Sequence, residues 1–385
     1  MSKRQTIDAY FGGSPATKRA RTDAKDDDPA EATIGWETQV QPVVRNKISN
    51  GIMRFAHQDL DPQPEPSGYT NHTSYPFSIP HLPEDLAAEL CAGPEHAGRS
   101  INDQPDLDLL YFEPFIPRSS ARRLFSFLRS ELPFYRVEYD ISRGGSKTHI
   151  RTPRWTTVFG VDETAHFLKS PSDTIQVTEV VDAHTKKPIP VGQGNTAKGP
   201  GYRATPRPIP ECLDVLRRSA EEATGCRFNF CLVNYYASGA DSISFHSDDE
   251  RFLGELPAIA SFSLGARRDF LMKHKPPATS TKPAPTETQV KGEKPALGKD
   301  SKPLKLPLAS GDMILMRGMT QANWLHSIPK RSGKNEPDGG RINITFRQAM
   351  VRGGTENYYN YNVGSGPVFK WNARSNEMIQ WESPP

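Results

Sequence analysis

Two histidines and one aspartate in the C-terminal half of the chain have the side chains and the spacing of a metal site. In "SISFHSDDE", His246 and Asp248 are two residues apart, so on a strand both side chains would leave the same face. His326 lies further along the chain, in "NWLHSIPK". Imidazole nitrogens and carboxylate oxygens are common ligands of first-row transition metals. The pattern therefore predicts one metal ion held by these three residues.

Each part of this set also has an ordinary structural interpretation. A His-x-Asp pair occurs by chance at half-exposed strand ends, and a histidine among apolar neighbours is commonly a hydrogen-bonded core residue. Taken together, two imidazoles and one carboxylate match the facial triad of non-haem Fe(II) oxygenases, which leaves coordination positions open. Those positions need a bidentate ligand and dioxygen.

The segment "RINITFR" could supply the anchor for such a bidentate ligand. With the period of a strand, its polar side chains share one face: Arg341, Asn343, Thr345 and Arg347. Its apolar side chains share the other face: Ile342, Ile344 and Phe346. Guanidinium groups match carboxylate geometry, so the arginines suit a small dicarboxylate if the polar face points into a barrel. The alternative is an amphipathic strand whose polar face lies in water.

Short strands rich in β-branched and aromatic residues surround these candidates. They include "CRFNFCLVNYY", "AIASFSLG", "RDFLMKH" and "DMILMRG", and turn residues separate them, as in a sandwich or jelly roll. Two amphipathic helices are expected before most of these strands, one capped by Ser119 or Ser120 and one that runs from Pro210 to Gly225. We therefore expect a mainly β fold with flanking helices (α+β) and a double-stranded β-helix, or jelly roll, as its core.

The composition indicates a folded centre with long irregular segments. The 35 prolines and 29 glycines among 385 residues cluster rather than spread. We expect residues 1–104 to be mostly disordered, residues 105–350 to form the main domain with a disordered insertion at 275–303, and residues 351–385 to form an aromatic C-terminal extension. The four cysteines lack metal-site spacing and favour free thiols. We expect neither a membrane span nor a secretory signal. We expect the protein to be a monomer.

Two short motifs lie in the N-terminal region. The basic run at residues 17–25 could be a nuclear localisation signal or a solvated part of the tail, and we expect the protein in the nucleus. Residues 4–11 contain a hydrophobic residue followed by two aromatic residues on one helical turn: Ile7, Tyr10 and Phe11. This spacing resembles the peptide motif that docks on the replication sliding clamp, so the clamp is an expected partner.

The ordered combination of motifs resembles that of the AlkB family of 2-oxoglutarate- and Fe(II)-dependent dioxygenases, over residues from about 105 to 350. The matching elements are His246-Ser247-Asp248, His326 and the RxNxTxR strand. The resemblance implies that Fe(II) binds to the two histidines and Asp248, with 2-oxoglutarate and dioxygen as cosubstrates. It implies that Arg341 pairs with the distal carboxylate of 2-oxoglutarate and Arg347 with the carboxylate beside the keto group. The further cosubstrate contacts that we expect are Asn234, Tyr236, Asn343 and Thr345.

The resemblance also implies a substrate, because the motifs look most like those of the eukaryotic nuclear branch that repairs alkylated nucleic acid. The expected reaction is oxidative demethylation of 1-methyladenine- and 3-methylcytosine-type bases in DNA. Glu250 is the first candidate for a contact with the flipped base. Further candidates for substrate contacts are Asp249, Pro153, Arg154, Trp155 and Tyr202. Duplex-specific members carry an apolar wedge where this chain has "GGSK", which favours single strands.

Two other classes of function stay open at this point. A demethylase of the same chemistry could act on RNA or on protein, and a degenerate barrel could serve as a non-catalytic scaffold that binds nucleic acid or the clamp. Because all three metal ligands and both arginines are present, the sequence favours an enzyme over the scaffold.

Overall fold

The computed structural model describes residues 68–143, 146–168, 179–192, 201–275, 303–331, 340–359 and 363–382. Over these residues its main elements are two large antiparallel sheets and five helices. The strands of the larger sheet are, in spatial order, β20 (Glu377–Gln380), β19 (Val368–Asn372), β5 (Phe134–Tyr135), β8 (Trp155–Gly160), β11 (Phe230–Tyr236), β18 (Arg341–Arg347), β13 (Ile259–Gly265), β16 (Met313–Met316), β4 (Leu109–Phe112) and β3 (Arg99–Ile101). The strands of the smaller sheet are β12 (Ile243–His246), β17 (Trp324–Ile328), β14 (Arg268–His274) and β15 (Leu304–Leu308).

Three two-stranded ribbons and the helices complete the fold. The ribbons pair β1 (Tyr69–Thr70) with β2 (Ile79–Pro80), β6 (Glu138–Arg143) with β7 (Ser146–Arg151), and β9 (Ala165–Phe167) with β10 (Val180–Asp182). The helices are α1 (Glu84–Cys91), α2 (Arg118–Glu131), α3 (Glu211–Thr224), α4 (Thr320–Asn323) and α5 (Glu356–Tyr359), and a 3-10 turn covers Arg251–Leu253. In the part of the chain that the structure describes, no helix combines the length and apolarity of a membrane span.

Helices α1, α2 and α3 cover the outer face of the larger sheet, and β18 shows which of its side chains point there. Ile342, Ile344 and Phe346 are fully buried in one cluster with Leu124 of α2 and Leu216 of α3. Burying a side chain of this size stabilises the fold by about 1.5–3 kcal/mol, so these contacts fix the orientation of the strand. The polar face of β18 must therefore point away from the helices, into the barrel, as the sequence predicts.

A second apolar cluster lies between the two sheets. It joins Leu232 of β11 and Met316 of β16, in the larger sheet, to Phe270, Met272 and Ile328 in the smaller one. Two facing antiparallel sheets with a shared interior are the architecture of a jelly roll. The expected α+β fold class with a double-stranded β-helix core is confirmed.

The N-terminal boundary of the folded region differs from the expected one at residue 104. Residues 68–104 contain β1, β2, α1 and β3, and they bury Ile79, Leu82, Leu86 and Leu90 in the cluster under the larger sheet. These elements are short and prolines lie between them, so hydrophobic periodicity does not reveal them. The clamp-like motif, the basic run and the rest of residues 1–67 lie outside the described residues.

The two predicted long helices are present, with one correction. Helix α3 is followed by Gly225 in the left-handed conformation, at φ 69°, as expected for a C-terminal glycine. Helix α2 begins at Arg118 after Pro117, so neither Ser119 nor Ser120 caps it. Instead, the Ser120 hydroxyl donates a hydrogen bond to Glu89 of α1 and joins the two helices.

The C-terminal extension packs against the barrel, as its aromatic residues indicate. Strand β19 pairs with β5 and β20, and the Trp381 ring lies 5.0 Å from the Phe77 ring. The predicted insertion falls between β14 and β15, which are paired over five residues each. Residues 276–302 of that insertion lie outside the described residues. All four cysteines are free thiols, as expected.

Candidate active site

Strand pairing in the smaller sheet brings the three predicted metal ligands together. His246 of β12 and His326 of β17 are register partners, with ring centroids 4.2 Å apart. Asp248 follows β12 directly, and its Oδ1 and Oδ2 lie 4.0 and 3.8 Å from Nε2 of His246 and His326. All three side chains are buried, and their potential ligand atoms lie within 4.8 Å of one another. The site predicted from spacing therefore exists as a cluster.

The protonation states of this cluster suit a divalent cation. Burial lowers the pKa of both histidines, to about 3 for His326, so the imidazoles are neutral at physiological pH. Burial raises the pKa of Asp248, but that pKa still lies below its usual value, and the Arg347 guanidinium is the largest influence that lowers it. Because metal binding requires deprotonated ligands, the cluster is prepared for an ion.

Neighbouring groups fix the orientation of each ligand. The backbone oxygen of Ser244 lies 2.8 Å from His246 Nδ1, which leaves Nε2 for the ion. The Phe270 ring stacks on the His326 ring at 5.3 Å, and the Asp248 N–H donates to Gln321 Oε1 at 2.9 Å. Phe270 and Gln321 were not expected from the sequence, since a phenylalanine in a strand and a glutamine in a short helix carry no metal-site signature.

An unsatisfied oxygen indicates that a cation belongs here. Asp248 Oδ1 is buried and has no hydrogen-bond partner among the described residues. Buried polar atoms are almost always bonded, and leaving one unpaired costs about 1–3 kcal/mol. A ferrous ion fits the two nitrogen donors and one oxygen donor of this cluster and would satisfy that oxygen.

Arg341 offers a matching site for a carboxylate. Its Nη2 donates to Ser263 Oγ at 2.8 Å, and its guanidinium lies 5.4 Å from the centroid of the Tyr236 ring. Nε and Nη1 are buried without a hydrogen-bond partner among the described residues. Burial lowers the pKa of Arg341 to about 10, so the side chain is still a cation at neutral pH. A guanidinium with these two unpaired nitrogens fits the distal carboxylate of 2-oxoglutarate.

The remaining cosubstrate candidates line the space between Arg341 and the metal ligands. Asn234 and Asn343 are register partners on β11 and β18. The Asn343 amide donates to Ser261 Oγ at 2.9 Å, and the Thr156 hydroxyl donates to Asn234 Oδ1 at 2.9 Å. The side chains that line this pocket are those of Asn234, Tyr236, Ile243, His246, Asp248, Ser261, Phe270, Met316, His326, Ile328, Asn343, Thr345 and Arg347. The structure thus places every predicted cosubstrate residue except Arg341 in one pocket, and Arg341 contacts Tyr236 at its wall.

Arg347 connects the metal site to the C-terminal extension. Its Nη2 lies 3.1 Å from Asp248 Oδ2, and its Nη1 donates to the Tyr358 hydroxyl at 2.6 Å. Tyr358 in turn donates to Glu250 Oε1. Tyr358 is a site residue that the sequence did not reveal, because nothing in "GTENYYNYNV" distinguishes this tyrosine from its neighbours.

The two acidic substrate candidates have different surroundings. Glu250 lies beside Arg347 and Asp248, its Oε2 is buried without a hydrogen-bond partner among the described residues, and burial raises its pKa to about 7. Asp249 is exposed and pairs with Lys275 Nζ at 2.9 Å. The structure therefore places Glu250 at the site and Asp249 on the surface beside it.

The two aromatic substrate candidates, Trp155 and Tyr202, are core residues. The Trp155 ring contacts the Phe369 ring at 4.5 Å, and the Arg136 guanidinium lies 4.7 Å from its centroid. Tyr202 is 1% exposed and donates to Asp162 Oδ2 at 2.7 Å. The expectation that either residue contacts the substrate is corrected, because both faces of strand β8, which begins at Trp155, are buried and Tyr202 is itself buried. The sequence does not show that the C-terminal extension covers Trp155.

The remaining substrate candidates lie at the start of β8. Arg154 is buried, its Nη1 donates to the Ser242 oxygen at 3.4 Å, and its charge lowers the pKa of His246. The Pro153 oxygen accepts the Ser242 N–H at 3.3 Å. Both residues thus hold the entry to β12, next to the metal ligands. The β6–β7 ribbon projects beside them, and its Arg151 is paired with Glu138 at 2.8 Å.

Comparison with known proteins agrees with this geometry. Residues 108–347 match the family model of the 2OG-Fe(II) oxygenase superfamily. The chain is 30% identical over 250 residues to the DNA oxidative demethylase ALKBH2 of Arabidopsis thaliana. The aligned region covers 63% of this chain and 67% of that protein. It is 31% identical over 230 residues to the mouse (Mus musculus) protein of the same name, covering 54% of this chain and 89% of that protein.

A shorter and more similar region is shared with a second group of relatives. The chain is 41% identical over 148 residues to the human (Homo sapiens) alpha-ketoglutarate-dependent dioxygenase alkB homolog 3, which covers 38% of this chain. The match spans 46% of the length of that relative.

Proposed function

The chain belongs to the AlkB family of 2-oxoglutarate- and Fe(II)-dependent dioxygenases, and from that membership we propose that it removes N-methyl groups from alkylated DNA bases. The observation that carries the proposal is the meeting of the His246, Asp248 and His326 side chains beside the partly unpaired guanidinium of Arg341. The names of the relatives support DNA as the substrate class, since two of them are DNA oxidative demethylases.

Each residue of the site has a role in the proposed reaction that follows from its position. With bound Fe(II) and 2-oxoglutarate, dioxygen supplies the oxidation that converts an N-methyl group to formaldehyde, with succinate and carbon dioxide as coproducts. His246, Asp248 and His326 would hold the ion from one side, so that the other side stays open. Arg341 would anchor the distal carboxylate of the cosubstrate, and Arg347 the carboxylate beside the keto group. No protein acid or base has to drive the reaction, so positioning is the main task of these side chains.

Glu250 supports the assignment of a base as the substrate. Its unpaired Oε2 is a buried acceptor next to the metal ligands, and the exocyclic amino groups of adenine and cytosine are donors of the matching kind. The sequence "GGSK" contains no bulky apolar side chain to fill a gap in a duplex. We therefore propose a preference for single strands, from which a base is extracted at lower cost.

The substrate class is tested by turnover on a matched panel. Oligonucleotides with one 1-methyladenine or 3-methylcytosine would be offered as single-stranded DNA, duplex DNA and RNA, beside a methyllysine peptide, with formaldehyde release as the readout. We expect single-stranded DNA to be the best substrate, with duplex DNA at least about threefold slower, because extracting even a damaged base from a duplex costs free energy. If RNA or the peptide is turned over faster than DNA, then RNA or protein is the substrate class instead. If none of the four substrates releases formaldehyde, the proposed demethylase activity is refuted.

We further infer that the protein works in the nucleus and docks on the replication clamp through residues 4–11. Ile7, Tyr10 and Phe11 are apolar residues with the sequence spacing of one helical turn, and a chain that repairs single-stranded DNA would gain from recruitment to replication. A synthetic peptide of residues 1–20 should bind the clamp with a micromolar Kd in calorimetry. The same peptide with Ile7→Ala and Phe11→Ala should not bind. Equal affinity of both peptides for the clamp would refute the assignment of residues 4–11 as a clamp-binding motif.

A further inference from the structure

The hydroxyl of Tyr358 lies between two charged residues of the site, and it comes from the C-terminal extension. The match to the family model ends at residue 347, so Tyr358 of α5 lies beyond it. Arg347 Nη1 donates to the Tyr358 hydroxyl at 2.6 Å, and that hydroxyl donates to Glu250 Oε1. A single oxygen thus joins the cation that contacts Asp248 to the carboxylate proposed to contact the base.

The surroundings of Tyr358 hold this oxygen in place. The ring is 1% exposed and packs against the rings of Phe230 at 5.2 Å and Phe252 at 6.1 Å. The next residue, Tyr359, donates to the Gly160 oxygen at 2.8 Å and fixes α5 to β8. Because a packed ring has few rotamers, the hydroxyl cannot follow its partners if they move.

The charges around Arg347 explain why such an oxygen matters. Arg347 is attracted by two carboxylates, Asp248 at 3.1 Å and Glu250 across the tyrosine. In a buried site this attraction is strong and poorly screened. Without the hydroxyl, the guanidinium and the Glu250 carboxylate could pair directly, and Arg347 would shift away from Asp248 and from the cosubstrate.

We propose that Tyr358 is a positioning residue that keeps Arg347 on Asp248 and on the cosubstrate carboxylate, and keeps Glu250 at the base pocket. The proposal deepens the function proposed above and rests on it. It means that the C-terminal extension completes the active site rather than only covering the barrel. It also assigns a specific purpose to one hydroxyl group.

The variant Tyr358→Phe removes that hydroxyl and keeps the ring. We expect the Kd of 2-oxoglutarate for the Mn(II)-loaded protein, measured by calorimetry, to rise about tenfold, since a hydrogen bond to a charged group is lost. The KM for 2-oxoglutarate in demethylation should rise by a similar factor. The control variant is Tyr75→Phe, which removes a buried hydroxyl that donates to the Pro208 oxygen at 2.5 Å. The melting temperature of Tyr358→Phe should fall by no more than that of this control.

A double variant separates positioning from simple loss of packing. In a Glu250→Gln background there is no carboxylate to capture Arg347, so adding Tyr358→Phe should change the Kd of 2-oxoglutarate by less than about threefold. Equal tenfold losses in both backgrounds, or no loss in Tyr358→Phe relative to Tyr75→Phe, would overturn the inference. If the unaltered protein binds 2-oxoglutarate with Mn(II) but demethylates nothing, the proposed function fails while the positioning role is still tested by binding.

Discussion

Replacement of Asp248 by alanine should abolish turnover of methylated single-stranded DNA, with a fall of at least about a thousandfold. Asp248 is the only carboxylate among the three clustered ligands, and it also holds Arg347 at 3.1 Å. Loss of a group that merely orients a metal ligand costs about 10–100-fold, so loss of the ligand itself should cost more. Formaldehyde release under saturating Fe(II) and 2-oxoglutarate measures the effect.

The matched control is Asp269→Ala on the neighbouring strand β14. Asp269 is half-exposed and pairs with Lys305 at 2.8 Å, away from the pocket, so its variant should keep full turnover. Mn(II) binding without cosubstrate can be measured as a rise in melting temperature. This rise should disappear in Asp248→Ala and persist in Asp269→Ala. Retained demethylation in a correctly folded Asp248→Ala protein would refute the metal assignment.

Replacement of Arg341 by alanine should raise the Kd of 2-oxoglutarate about a hundredfold. Truncating one partner of a buried, hydrogen-bonded charge pair costs about 2–5 kcal/mol, and each 1.4 kcal/mol is a factor of ten. Arg341→Lys should lose less, because lysine keeps the charge but not the planar fork that matches a carboxylate. Calorimetry with Mn(II)-loaded protein measures both variants in the absence of turnover.

The control for this second series is Arg267→Ala. Arg267 is exposed. Its Nε donates a hydrogen bond to the Pro307 oxygen at 3.4 Å. Its removal should leave the Kd of 2-oxoglutarate within about twofold. A Kd in Arg341→Ala equal to that of the unaltered protein would show that the dicarboxylate is anchored elsewhere.

The strand with the RxNxTxR pattern was predictable because both of its faces follow the period of two. Ile342, Ile344 and Phe346 need an apolar layer, and helices α2 and α3 provide it, so the polar face has one direction left. The metal site was predictable for a related reason, since His246 and Asp248 are neighbours in sequence and a chemical set of this kind is rare. Spacing alone, however, gives no distances, and only the pairing of β12 with β17 brings His326 to His246.

The partners of the site residues were not predictable. Ser261 and Ser263 of β13 contact Asn343 and Arg341, yet serines in a buried strand have no signature of their own. Trp155 was a candidate for a substrate contact, and aromatic side chains can stack on bases. Its actual neighbour, Phe369, lies far along the chain, in an extension whose role the sequence does not show. Long-range contacts of this kind decide which aromatic rings are free.

The division of β18 into two faces limits how this protein can vary over evolution. Because side chains alternate along a strand, inserting or deleting one residue within Arg341–Arg347 would exchange the faces beyond that point. Guanidinium groups would then enter the apolar layer under α2 and α3, while isoleucines would occupy the place of the cosubstrate anchors. Within this strand, even an indel that preserves the reading frame would therefore remove stability and activity in one step.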